Sequence, residues 1–166
     1  MELMPANDRS WLQRAVVAAA VAAALLAAII WTTIDNHALP RIPVETPNGT
    51  TILVEVADTP EARSAGLSNR ERLGSVDGLL LKWDSAGRHP IWMADMRFPL
   101  DLVWLDAKGR VVGLLVNVPP CRTPPCPLYE PQEAPASMAV LEIPAGAATI
   151  HRIAVGSIMR YPSHSE

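Results

Sequence analysis

Three aspartates in the middle of the chain are the residues whose type and spacing come closest to a catalytic set. Two carboxylates that face one groove can act as acid and base in hydrolysis, or can hold a divalent cation. Asp101 and Asp106 lie on one predicted strand with four residues between them, and the alternation of side chains along a strand sends them to opposite faces. We therefore favour structural roles for both, Asp106 opening a hairpin turn and Asp101 capping a bend after Pro99. Asp95 is the aspartate most open to a functional role.

Three tryptophans in the same region offer a different chemistry. Trp83, Trp92 and Trp104 could line a groove in which a sugar ring or an extended peptide stacks on flat aromatic faces. Trp104 lies in the apolar run Leu-Val-Trp-Leu, which is typical of a strand buried on both faces, so we assign it to the core. Trp92 is less constrained, because a polar segment follows it.

Arg70 is the basic residue that we place beside these groups, in an ion pair with Asp95 or Asp101. The candidate binding groove comprises Arg70, Trp92, Met93, Asp95 and Asp101. The sequence contains no Gly-x-Ser-x-Gly, His-Glu-x-x-His, Walker or Gly-x-Gly-x-x-Gly motif. We therefore favour a non-catalytic module that binds an envelope ligand or protein partner, with no cofactor and no metal. The alternative is a hydrolase or lyase of envelope polymers, for which Asp95 and Asp101 would have to converge within about 10 Å.

The elements that must position these residues begin with an apolar N-terminal segment. Between Trp11 and Trp31 the one charge is Arg14, and residues 15–31 are drawn from Ala, Val, Leu, Ile and the closing Trp. A helix of about twenty residues spans roughly 30 Å, the thickness of the hydrocarbon core of a bilayer. The pattern predicts a single transmembrane signal-anchor helix over residues 15–34, with the lipid bilayer as its partner. A cleaved signal peptide is the alternative, although no small-x-small cleavage site follows the run.

Charges on the two sides of this segment predict its orientation. Arg9 and Arg14 precede the apolar run, whereas Asp35 and His37 follow it, so we expect a cytoplasmic N-terminus. The protein would then lie in the inner (cytoplasmic) membrane, with its domain in the periplasm or outside the cell. A net charge of −3 shows no basic excess, so nucleic acid is not predicted as a partner. The predicted layout is a cytoplasmic N-terminus (1–14), a transmembrane helix (15–34), a linker (35–43), an extracytoplasmic β domain (44–160) and a C-terminal tail (161–166).

The two cysteines stand close together in the segment Cys-Arg-Thr-Pro-Pro-Cys, at positions 121 and 126. In an oxidising compartment, such a pair predicts a local disulfide between Cys121 and Cys126. Metal binding is a weaker alternative, because two thiolates need further ligands and no histidine lies close in sequence. A redox role is weaker still, since four residues separate the thiols and the prolines stiffen the loop.

Short apolar segments separated by turn residues dominate the chain after the linker. Residues 50–57 alternate as a half-buried strand does, a short helix is expected between Pro60 and Gly66, and residues 106–109 have the composition of a hairpin turn. Further strands are predicted over 78–83, 90–93, 100–105 and 110–117, and two more apolar segments, 137–143 and 150–159, close the domain. Many short strands and one or two short helices indicate a mainly β fold, either a β-sandwich or a small closed β-barrel.

Several short motifs occur together across this predicted domain. They are Glu55-Val56-Ala57, Thr59-Pro60-Glu61 and Gly66-Leu67 in the first part, Trp92-Met93, Pro99-Leu100-Asp101, Trp104-Leu105-Asp106 and Gly109-Arg110-Val111-Val112 in the middle, and Val118-Pro119-Pro120-Cys121 and Leu141-Glu142 towards the end. As a set they resemble the uncharacterised bacterial and archaeal family known as domain of unknown function 192, over about residues 44–160. The resemblance implies a compact β-sandwich of jelly-roll type and brings no established activity with it. The chain departs from the family pattern at Asp95, where Asn is usual, and at Ser157, where an acidic residue is common.

Overall fold

The N-terminal part of the chain forms a unit separate from the rest. A computed structural model of the protein describes residues 14–24, 39–131 and 136–162, and the chain divides into the units Met1–Ala38 and Leu39–Glu166. Residues 14–24 are helical, and residues 25–34 of the predicted segment lie outside the described residues. No helix within the described ranges combines the length and the apolar character needed to cross a membrane. The membrane segment therefore stays a prediction.

The second unit is built around one large sheet. Its strands in chain order are β1 (Arg41–Glu45), β2 (Thr51–Ala57), β3 (Gly78–Gly87), β4 (Ile91–Trp92), β5 (Leu100–Leu105), β6 (Val111–Val118), β7 (Leu128–Tyr129) and β8 (Ser137–Pro144), and its helices are α1 (Pro60–Ala65) and α2 (Ala147–Ile150). Six strands form a sheet in the order β1-β2-β3-β8-β5-β6, and β4 pairs with β7 in a second, two-stranded sheet. All neighbours are antiparallel except β2 and β3.

The mainly β prediction is confirmed, but neither specific architecture matches the strand order. Within the described residues β1 and β6 are the two edges of an open sheet, so the closed barrel is not formed. A jelly roll distributes its strands between two sheets, whereas here six strands lie in one sheet and two in the other. The chain also departs from an antiparallel jelly roll in the parallel pairing of β2 and β3. Parallel strands need a crossover, and here α1 and the loop after it carry the chain across one face of the sheet between the two strands.

The first strand begins inside the predicted linker 35–43. Pro43 lacks a backbone N–H and argued against a strand at this position, but β1 is an edge strand, which tolerates proline. Of the two closing apolar segments, 137–143 corresponds to β8. The segment 150–159 is not a continuous strand, and it meets the rest of the fold through turns and through the isolated bridge between Arg110 and Ile158.

Both faces of the sheet are buried, and each has its own apolar cluster. One face carries Val103, Leu105 and Leu141, and it is covered by α2 and the C-terminal segment. The opposite face carries Leu102, Trp104 and Val140, and it is covered by Leu67 after α1 and by Met93 and Met96. Because β5 lies in the interior of the sheet between these layers, all six of its residues are buried.

The hairpin between β5 and β6 has the turn that the sequence predicts. The Asp106 carboxylate accepts hydrogen bonds from the backbone N–H groups of Lys108 (2.8 Å) and Arg110 (2.9 Å). Gly109 has a φ of +73°, and a Cβ at this position would overlap the carbonyl oxygen of Met159. The structural role that we assigned to Asp106 is confirmed.

Candidate functional site

A cavity of about 220 Å³ lies over the face of the sheet that carries Trp104. One wall is formed by α1 and the residues after it, and the opposite wall by the segment around β4 together with Leu128 of β7. The side chains that decide its chemistry are Leu81, Trp83, Ile91, Trp92, Leu128 and Glu142. The cavity is therefore mostly apolar and aromatic, with a carboxyl group among its lining side chains.

Glu142 supplies that carboxyl group from the middle of β8. It is 5% exposed, and its Oε2 atom has no hydrogen-bond partner among the described residues. Burial raises the pKa of Glu142 from 4.5 to about 7, and the positive charge of Arg70 opposes this rise. A buried carboxyl oxygen without a donor is costly. Oε2 of Glu142 is therefore free to accept a hydrogen bond from a donor that enters the cavity.

Arg70 lies close to Glu142 but is bound to another carboxylate. Its Nη1 donates to Oε2 of Glu55 at 2.6 Å, and Arg41 lies 3.5 Å from the other oxygen of Glu55. The strand register explains the arrangement, because Glu55, Leu79 and Glu142 are consecutive partners across β2, β3 and β8. The expected ion pair of Arg70 with Asp95 or Asp101 is wrong, since Glu55 occupies the guanidinium.

Asp101 belongs to the opposite face of the sheet. It is fully buried, and its two oxygens accept hydrogen bonds from the backbone N–H groups of Asn117 (2.8 Å) and Ala148 (2.9 Å). The carboxylate thereby connects β5 to the end of β6 and to α2. Asp101 is a structural residue, as the preferred interpretation of the sequence held, but the predicted cap of a bend after Pro99 is wrong, because both oxygens bind Asn117 and Ala148. Asp101 does not line the cavity beside Trp92.

Asp95 is exposed and lies in a second, polar cavity of about 430 Å³. Its backbone has a φ of +57°, and its carbonyl oxygen accepts a hydrogen bond from Asn69 N–H at 2.8 Å. Arg97 and Arg122 line the same cavity. The two aspartates of the hydrolase alternative thus do not share a pocket. In the described parts of the chain, no three His, Cys, Asp or Glu side chains cluster as metal ligands would.

The tryptophans have three different environments. Trp104 is fully buried and donates its indole N–H to the carbonyl of His89 at 3.1 Å, so its assignment to the core is confirmed. Trp92 is 53% exposed and lines the cavity, whereas Met93 beside it is fully buried. Trp83 stacks on the His89 ring with 3.9 Å between centroids, and the Arg63 guanidinium lies 5.3 Å from the Trp83 ring. Of the predicted groove, Trp92 is the residue found in the Glu142 cavity.

Comparison with known proteins places the chain in a family. The family model DUF192, described as an uncharacterized ACR, matches residues 43–161. The chain belongs to the DUF192 family. A search of curated proteins found no match.

Two solved structures share the DUF192 fold of this chain. A protein from Sinorhizobium meliloti 1021, described as a "putative transcription regulator", is 23% identical with a TM-score of 0.64, over 75% of this chain and 94% of that chain. A protein of unknown function from Novosphingobium aromaticivorans DSM 12444 is 24% identical with a TM-score of 0.61, over 72% of this chain and 83% of that chain. At these identities the likeness establishes the fold.

The predicted disulfide is present in this DUF192 domain. Cys121 and Cys126 are bonded, with their Cα atoms 5.7 Å apart. The N–H of Cys121 donates to the carbonyl of Met93 at 2.9 Å, and Cys121 also forms a bridge with Ala94. The disulfide loop is therefore held against the segment that follows β4, beside the polar cavity that contains Asp95.

Glu142 is the candidate site residue of the DUF192 domain that the sequence alone did not single out. It was noted only as part of the family pattern. The signal that could have found it is a carboxylate inside the apolar run Ala-Val-Leu-Glu-Ile, where an unpaired charge is costly. Glu55 gives a similar signal within β2, but both arginines that approach it compensate its charge.

Proposed function

We propose that this DUF192 domain is a non-catalytic ligand-binding module of the cell envelope, and that it binds a small ligand in the Glu142 cavity. The observation that carries the proposal is a buried carboxyl oxygen without a donor in a cavity with aromatic walls. A few polar groups within mostly apolar walls are typical of ligand sites. The cavity volume of about 220 Å³ is below the usual range for drug-sized ligands, so the ligand or the part of it that enters is small.

The envelope location rests on the sequence and is supported by the disulfide. Residues 15–34 would anchor the protein in the cytoplasmic membrane with the domain on the outer side. Disulfides persist in oxidising compartments and are rare in the cytosol, which agrees with an exported domain. An envelope polymer or a protein that presents a small side group is then a natural source of ligand.

Ligand-observed NMR of the full chain in nanodiscs tests this proposal. We expect a panel of small metabolites and polymer fragments to contain binders whose affinity falls about tenfold or more in Trp92→Ala, because the indole covers the ligand. Val116→Ala is the matched control, since Val116 is an exposed apolar residue of β6 that does not line the cavity. Binders that both variants retain fully would show that the cavity is not the site.

A further inference from the structure

We infer that the Glu142 cavity selects a small organic cation, in which an ammonium group is carried on a short apolar or aromatic stem. This inference rests on the proposed function and adds the chemical class of the ligand. The Glu142 carboxylate would receive the ammonium group, and the tryptophan and aliphatic walls would enclose the stem.

The first argument is the charge balance around Glu142. Glu55, Leu79 and Glu142 form one row of paired residues across the sheet. The two arginines at this row both contact Glu55, since Arg70 donates to it and Arg41 lies 3.5 Å from it. The carboxyl of Glu142 is left buried, with Oε2 unbonded among the described atoms. Buried charges are stable when they are paired and hydrogen-bonded, so a ligand that brings both a positive charge and N–H donors satisfies the group completely.

The second argument is the chemistry of the cavity walls. A cation is attracted to the face of a tryptophan ring, and the same face packs on an apolar stem. The Trp83 ring already receives Arg63, whose Nη1 donates to the carbonyls of Lys82 (2.8 Å) and Asp58. The half-exposed indole of Trp92 is therefore the aromatic face left for the ligand.

Other ligand classes fit the cavity less well. An anion would face the carboxylate of Glu142 at close range. A sugar needs several polar partners, and the Ser68 hydroxyl at the cavity wall already donates to the carbonyl of Ala94 at 3.1 Å. A carboxylate within apolar walls matches an ammonium on a stem, which presents one charged end and one apolar end.

Isothermal titration of the full chain in nanodiscs with benzylammonium chloride tests the inference, and benzyl alcohol is the neutral control of the same shape. At about pH 8 we expect benzylammonium to bind about tenfold or more tightly than benzyl alcohol, because the carboxylate is then charged. Glu142→Gln should lose this preference while still binding benzyl alcohol. Glu45→Gln, which alters an exposed partner of Arg160, should retain it.

The pH dependence provides a second readout. The charged groups facing Glu142 are Arg70 from the loop after α1, Glu55 on β2 behind that arginine, and Arg63 from α1 at the cavity wall. The pKa of Glu142, about 7, lies between the two pH values compared below, so the ligand preference follows this residue. Lowering the pH from about 8 to about 5.5 should weaken benzylammonium binding and leave benzyl alcohol binding unchanged.

The ammonium group could come from a free amine or from a lysine side chain of a partner, and N-acetyl-lysine N-methylamide separates these sources. Tighter binding of the lysine derivative than of benzylammonium indicates a polypeptide source, and the reverse indicates a free amine. Equal binding of benzylammonium and benzyl alcohol, or unchanged ammonium binding in Glu142→Gln, would overturn the inference and leave the ligand-binding proposal standing. If no compound of any charge binds in a manner that depends on Trp92, both proposals fail.

Discussion

Glu142 and Asp101 are carboxylates in neighbouring strands of one sheet, and their surroundings separate their roles. In the β5–β8 register, Asp101 is paired with Ile143 and Leu102 with Glu142, so the two carboxylates point to opposite faces. Asp101 accepts two backbone N–H groups, whereas Oε2 of Glu142 accepts none within the described structure. The Asp101 carboxylate therefore stabilises the fold, whereas Oε2 of Glu142 can still accept a hydrogen bond from a ligand.

At the residue scale, Glu142 makes the stability of the domain depend on pH. Burial raises its pKa from 4.5 to about 7. Between these values the unfolded chain releases a proton that the folded chain retains, so the free energy of unfolding falls as the pH rises, by up to about 3 kcal/mol. Below this window Glu142 is protonated in both states, and above it the carboxyl is charged in both.

The Glu142→Gln variant should remove this dependence. We expect chemical denaturation to show a variant that is more stable than the native chain at about pH 8, by up to about 3 kcal/mol, and a smaller difference at about pH 4.5. Glu45→Gln provides the control for the amide substitution at an exposed site. Parallel pH profiles for the native chain and Glu142→Gln would contradict the assignment of the buried charge.

Asp101→Asn should destabilise the domain by about 2–3 kcal/mol, because one backbone N–H group would face an amide donor instead of an acceptor. The two groups at risk are the N–H groups of Asn117 and Ala148. Asp95→Asn is the matched control, since Asp95 is exposed and its backbone carbonyl keeps the bond from Asn69. Midpoints of urea denaturation measure both changes, and equal effects would argue against a structural role for Asp101.

At the element scale, the β5–β6 turn is fixed to the C-terminal segment by Gly109. Its carbonyl accepts a hydrogen bond from Met159 N–H at 2.8 Å, and a Cβ on Gly109 would overlap the Met159 carbonyl. Gly109→Ala should therefore lower the free energy of unfolding by more than the roughly 1–3 kcal/mol that an unfavourable φ alone would cost. Gly156→Ala is the control, because its φ of +91° is similarly left-handed but nothing lies within 4 Å of a Cβ there. Thermal unfolding that ranks the two variants equally would contradict the packing argument.

The disulfide should stabilise the loop between β6 and β7 modestly. Cys121 and Cys126 close a short ring with a sequence separation of 5, for which chain-entropy reasoning gives about 2 kcal/mol. We expect reduction, or replacement of both cysteines by serine, to lower the free energy of unfolding by about this amount. Single serine variants control for loss of the side chains themselves. No difference between oxidised and reduced protein in denaturation would show that the loop is held by its other contacts.

Local patterns in the sequence predicted elements whose structure depends on local chemistry. The alternating apolar and polar residues over 50–57 predicted β2, and Asp106 and Gly109 form the expected turn. The parallel pairing of β2 with β3 left no local signal, since it depends on where α1 and its loop place the chain. The predicted ion pair of Arg70 is wrong for the same reason, because the loop after α1 places Arg70 against Glu55 of β2.

At the scale of the whole molecule, the membrane location is testable with fusions at Glu166. We expect alkaline phosphatase fused there to be active and green fluorescent protein to be dark, because residues 15–34 would export the domain. Fusions that begin at Leu39 are the control and should give the reverse result. Intact mass then separates a retained anchor from a cleaved signal peptide. A fluorescent full-length fusion with inactive phosphatase would invert the proposed topology.

The position of β8 has a consequence for how the domain is made. β8 comes last among the described strands, yet it lies between β3 and β5 and joins the halves β1-β2-β3 and β5-β6. Contacts between distant parts of a chain form slowly, and a sheet with an unfilled centre exposes edges that associate with other chains. During synthesis the sheet stays incomplete until β8 has been made, so β3 and β5 each keep an unpaired edge until then. Late completion of the sheet agrees with the proposed export of the domain before it folds.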